Sequence, residues 1–123
     1  KPFFAPGWDW AKEREKFRRR PRRVELAIWV DDDLCGLALG RISDRCVVAT
    51  IHFLEANPQG NPLQGRIAPI AIRYLEVLAA GINADYISIE APVPGLIDYY
   101  KELGFTREVR KGKSKVLRLK KTM

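Results

Sequence analysis

Two cysteines, one histidine and one methionine are all that this 123-residue chain holds of soft-ligand and imidazole chemistry. With no CxxC and a single histidine, His52, the chain lacks the ligand spacing of a zinc site, and no metal is expected. A disulfide is not expected either. If residues 43–45 turn a hairpin, Cys35 lies opposite about residue 52. Cys46 is then roughly 20 Å further along the ladder at ~3.3 Å per residue, well beyond bridging distance. No apolar run approaches the ~20 residues that cross a bilayer. The opening KPFFAPGWDW has an early lysine but no continuous apolar stretch behind it, so it does not read as a secretory signal. Internal repeats and low-complexity linkers are absent as well. A cytoplasmic protein with no membrane partner is the expectation.

What is present suits one globular domain with a single core. Hydrophobic residues make up 46% and charged residues 30%, with a net charge of +7. That charge is concentrated. Residues 11–23 carry eight basic and two acidic side chains, and residues 107–121 carry eight basic and one acidic. Such clusters attract phosphates, whether in nucleic acid, a membrane surface or a cofactor. They serve equally as solvated faces of a helix and a strand. Too few aromatics interleave with them for a base-stacking platform.

The segment DWAKEREKFRRR (9–20) favours helix, with Asp9 able to cap it and Pro21 ending it. VELAIWV (24–30) alternates, with Val24, Leu26, Ile28 and Val30 on one face, as a strand does. After the DDD turn, residues 34–42 and 46–56 read as two more strands, completing an antiparallel meander. NPQGNPLQG (57–65) is a loop by composition. It leads into a helix whose apolar stripe is Ile67, Ile70, Ala71, Tyr74, Leu75 and Leu78, closed by Gly81. DYISIEA (85–91) is a short strand. Pro94 opens a helix with Leu96, Ile97, Tyr100 and Leu103 inward, and Gly104 stops it with Phe105 folding back. Strands at about 106–110 and 115–119 flank the turn RKGKS. A strand–helix–strand unit inside a meander makes one parallel pairing. The predicted class is α+β, a mixed and mostly antiparallel sheet flanked by helices.

This order resembles the GNAT superfamily of N-acetyltransferases without its usual first strand and first helix. LEANP (54–58) stands where the family runs an apolar strand into a proline loop. QGRIAPIAIRYLEVL (64–78) is similar to its pyrophosphate-binding turn and helix, and GLIDYYKELGF (95–105) to its tyrosine-bearing helix with a Leu-Gly-Phe stop. The resemblance covers about residues 9–119. It implies acetyl-CoA as donor and an amine as acceptor, and it leaves a homodimer open. A bulge in the third meander strand would expose N–H groups to the pantetheine arm, matched by Leu54, Glu55 and Ala56. Gln64, Gly65, Arg66, Ile67 and Ala68 would hold the pyrophosphate at the helix start. Three residues depart from the family pattern: the turn reads Q-G-R-I-A-P, with Ile67 and Pro69 at glycine places, and Val93 stands where many members carry asparagine.

Three side chains are candidates for proton transfer. Tyr100 matches the family tyrosine near the CoA sulfur, and a phenol can protonate a departing thiolate. It also shares an apolar face with Leu96 and Leu103, where packing alone accounts for it. His52, or Glu55 beside the expected bulge, would take the amine proton, or each is an ordinary partly buried or solvated side chain. Trp8 and Trp10 precede the basic helix and suit packing better than a substrate pocket. The resemblance therefore implies direct attack by an amine on the thioester. The alternative is a non-catalytic domain of the same fold whose basic surfaces bind nucleic acid or another polyanion.

Overall fold

The computed structural model describes residues 10–19, 21–57, 62–63, 65–113 and 115–123. Trp8, the expected cap Asp9 and Gln64 lie outside them. In chain order the elements are α1 (Trp10–Phe17), β1 (Arg23–Val30), β2 (Asp33–Ile42), β3 (Val48–Ala56), α2 (Ile67–Gly81) and β4 (Tyr86–Glu90). A 3₁₀ turn at Pro94–Leu96 then leads into α3 (Ile97–Glu102), followed by β5 (Arg107–Lys111) and β6 (Lys115–Thr122). The strands form one six-stranded sheet in the order β1-β2-β3-β4-β6-β5. Only β3 and β4 run parallel; the other neighbours are antiparallel. This is the α+β architecture expected, with α2 as the crossover between the parallel strands.

The two faces of the sheet differ in chemistry because strand side chains alternate. One face carries Ile28, Ala38, Ala49, Ile51, Ile87, Ile89 and Leu119, all buried in one core with the inner side of α2. α3 returns Tyr100, and Phe105 behind it, to the same core, and Phe105 is fully buried. Burying such a ring contributes ~1.5–3 kcal/mol. The stop is the expected one: Gly104 takes φ +102, a left-handed value that glycine adopts without strain. The opposite face is polar over β3, β4 and β6. It also holds a small apolar cluster, Leu39 with Leu34, Leu37 and Phe53. α1 is tied to β1 by the Arg14–Glu25 ion pair at 2.6 Å, and that guanidinium holds the Glu25 carboxyl below its usual range.

Several expectations shift for local reasons. β3 starts at Val48 rather than Cys46. Ser43 Oγ accepts from the N–H groups of Val47 and Val48 at 3.0 Å, and Cys46 takes φ 55, so these residues form the turn. Cys35 therefore stands across from Asn57, whose N–H donates to its carbonyl at 2.9 Å, and not across from residue 52. Both thiols are free. Helix α2 continues through Gly81, and the left-handed residue is Asn83 at φ 57. Its buried stripe is Ile67, Ala71, Ile72, Leu75 and Ala79, which leaves Ile70 and Tyr74 on an exposed flank. Leu96 is exposed because Pro94 opens a 3₁₀ turn that does not share the register of α3.

Gly40 permits a close approach within the sheet. A Cβ there would sit 2.1 Å from the Thr50 carbonyl oxygen, a backbone atom that cannot swing aside. Gly40→Ala is expected to cost about 1–3 kcal/mol through overpacking, read as a lower midpoint in urea unfolding at unchanged slope.

Candidate active site

The ladder between β3 and β4 is short. It pairs Val48 with Tyr86 through Ile51 with Ile89 and then ends, while β3 runs on to Ala56. On the other side of β3 the register with β2 slips at the same level. Leu39 pairs with Phe53 and Gly40 with Ile51, so His52 is the extra residue of a β-bulge. The irregularity thus falls at His52 and not at residues 54–56, because Gly40 draws the Thr50–Ile51 backbone close. Beyond it Leu54 packs toward the core, Glu55 lies opposite Leu37 and is partly buried, and Ala56 is exposed.

On the face opposite α2, a depression of about 290 Å³ lies over this break, lined by Arg41, Ser43, Asp44, Thr50, His52, Glu90 and Arg118. Its floor is a hydrogen bond of 2.7 Å between the hydroxyls of Thr50 and buried Ser88. Arg118 Nε lies 3.1 Å from Glu90 Oε1. That contact is an ion pair without hydrogen-bond alignment, since Arg118 Nε and Arg41 Nε are both buried with no hydrogen-bond partner. Asp44 is held at 2.7 Å by Arg22 and only at 3.5 Å by Arg41. Of the expected proton acceptors, His52 lines the depression and Glu55 does not. Glu90 does, and sequence reasoning missed it. Its signal was the alternation of YISIE, which puts Tyr86, Ser88 and Glu90 on the face opposite Ile87 and Ile89.

The other candidates lie on the face of α2. Gly65 adopts φ +81 with open space where a side chain would be, and Arg66 next to it is exposed. Helix α2 has no side-chain cap and no acidic residue in its first turn. A helix start without a side-chain cap and without a carboxylate in its first turn suits an anion. Ile67 has a second duty there, since its side chain is buried and fills the space over Gly36, where a Cβ would meet it at 2.7 Å. Ala68 is partly buried. Among the described residues no group of three or more His, Cys, Asp or Glu could hold a metal.

Tyr100 is 5% exposed, in the same core cluster as Ile51 and Ile89, the last pair of the parallel ladder. Its ring meets Phe105 edge-on at 6.4 Å and Tyr99 at 5.7 Å. Burial, and secondarily the neighbouring Tyr99, pushes its phenol above the ordinary value. The proton is therefore held throughout the neutral range.

A mixed six-stranded sheet with one short parallel pair, a bulge at the break and a helix start behind it is a fold shared with solved acetyltransferase structures. An acetyltransferase from Thermus thermophilus is 18% identical with a TM-score of 0.67, over 94% of this chain and 73% of its own. The PaiA N-acetyltransferase of Thermoplasma acidophilum, solved with coenzyme A, is 14% identical with a TM-score of 0.65, over 93% and 69%. Tetrahymena GCN5 is 15% identical with a TM-score of 0.67, over 90% and 74%. No protein-family model and no curated protein matches the sequence. At these identities the likeness is one of fold.

The raised Tyr100 phenol carries a pH signature. Its folded value lies above the unfolded value near 10, so the associated stability is full below about pH 10 and is lost as pH rises beyond it. Tyr100→Phe cannot ionise there. Its melting temperature should gain on the parent's as pH rises above about 10, and an unchanged gap would place Tyr100 in a solvated setting.

Proposed function

We propose that this protein is an N-acyltransferase that moves an acetyl group from acetyl-CoA to an amine by direct attack. What carries the proposal is the break between β3 and β4. It is bordered by the polar depression around His52 on one face and by the open, uncapped start of α2 on the other. Two solved structures of this fold, PaiA and an aminoglycoside 6'-N-acetyltransferase, are complexes with coenzyme A, which supports the donor.

The residues at the start of α2 fit a pyrophosphate. Gly65 permits close approach, Ile67 and Ala68 would supply N–H donors, and Arg66 a charge-assisted bond. Pro69 has no N–H, so the donors precede it. Helix-start electrostatics of this kind contribute ~0.3–1 kcal/mol. When bound, acetyl-CoA supplies an activated thioester carbon.

The rest falls to the side chains. His52, with Glu90 beside it in the depression, takes the proton from the acceptor ammonium; Glu55 stays a secondary candidate on the same strand. The N–C bond forms, the C–S bond breaks, and Tyr100 gives its proton to sulfur. Between ordinary values, near 10 for a phenol and 8.5 for a thiol, that last transfer is uphill by about 2 kcal/mol. Burial of Tyr100 adds to the gap. Its contribution should therefore sit at the lower end of the ~10²–10⁴-fold range for general acids.

Acetyl-CoA should give measurable heat on titration and raise the melting temperature. Tyr100→Phe should lower kcat about 10²-fold while Tyr99→Phe changes it little, with both variants melting near the parent. No heat and no thermal shift at millimolar acetyl-CoA would overturn the donor.

A further inference from the structure

The polar face carries an unusual row. Cross-strand partners across the whole sheet read Arg23, Arg41, Thr50, Ser88, Lys120 and Arg107. Two hydroxyls at the centre are thus flanked on each side by a pair of cations directly opposite one another. Like charges facing across a ladder are destabilising. The flanks are compensated unequally. Arg23 donates to Glu25 at 3.3 Å and to the Arg18 carbonyl. Among the described residues Arg41 has only the long contact to Asp44, whose carboxylate is committed to Arg22. Lys120 and Arg107 have no carboxylate partner among the described residues. They bracket the ring of Tyr86 at 5.2 and 5.0 Å, and Arg107 donates to its hydroxyl at 3.0 Å.

The centre of this row is the floor of the depression where His52 and Glu90 meet the proposed acceptor. On the basis of the acyl-transfer proposal, we infer that the acceptor is an acidic peptide segment with a lysine amine flanked by Asp or Glu. Three considerations select it. The cations lie on both sides of the reacting position, so the anionic charge must lie on both sides of the amine. From Arg41 to Arg107 is four strand spacings, ~19 Å at ~4.8 Å each. A free amino acid cannot span that distance, whereas about six extended residues do. The reacting group must also be nucleophilic, which a lysine amine is once deprotonated and the exocyclic amines of nucleic-acid bases are not. Charge complementarity of this kind acts on both encounter rate and register.

The test is fluorescence anisotropy of labelled decapeptides with a central lysine, flanked by Glu or by Gln, and of a single-stranded RNA of matched charge, without acetyl-CoA. The Glu-flanked peptide should bind at least about tenfold tighter than the Gln-flanked one, with affinity falling as salt rises. Lys120→Gln and Arg41→Gln should each weaken it about three- to tenfold, with Lys120→Arg restoring it. Lys113→Gln, a charge removed from the exposed β5–β6 turn away from the row, should leave it unchanged. Melting temperatures confirm that each variant folds. Equal binding of both peptides, equal loss in Lys113→Gln, or RNA binding as tight as the acidic peptide overturns the inference. Mass spectrometry of the bound peptide after adding acetyl-CoA separates the two claims. Row-dependent binding without acetylation defeats the acyl-transfer proposal and leaves the acidic-peptide surface standing.

Discussion

Four paired residues on each of β3 and β4 hold the two halves of the sheet together, and their ladder ends where the chemistry is proposed to begin. The β1-β2-β3 meander and the β4-β6-β5 unit share no other strand pairing. The length of this ladder is set beside it. Gly40 lets the Thr50 carbonyl approach to a distance no side chain tolerates, and the extra residue that follows is His52. A longer parallel ladder would close the break, and a bulge elsewhere on β3 would aim a different residue at the depression.

The two faces of the sheet solve opposite problems. Under α2 the residues are apolar and close-packed, and that burial is where the net stability arises. On the other face Thr50, Ser88, Glu90 and Arg118 lie over the same strands with partial pairing, and two guanidinium Nε atoms are buried without hydrogen bonds. Unsatisfied buried donors cost ~1–3 kcal/mol each. The fold carries that cost on the face where function is proposed, as polar sites on rigid scaffolds commonly do.

Tyr100 shows how one residue can belong to both problems. Its ring is part of the core with Phe105, and the same burial that stabilises the ring keeps the phenol protonated. Packing and the proposed proton donation are therefore compatible at this position. The hydroxyl alone distinguishes them.

The element order, the α+β class and the Gly104–Phe105 stop were legible in the sequence because each rests on local rules: alternation in VELAIWV, helical spacing from Ile67 to Leu75, and a glycine at left-handed φ. Helix faces were legible only to within one flank, since periodicity does not say which edge of the Ile67–Leu78 stripe the sheet covers. The bulge at His52, the turn that removes Cys46 and Val47 from β3, and the sharing of one depression by Glu90 and His52 were not legible. They depend on register between strands distant in the chain, which a contact such as Gly40 against Thr50 decides. The basic residues were countable from the start. That Arg41, Lys120 and Arg107 fall in one row, while Lys121 crosses to Glu76 on the other face, follows from pairings that exist only once the sheet has formed.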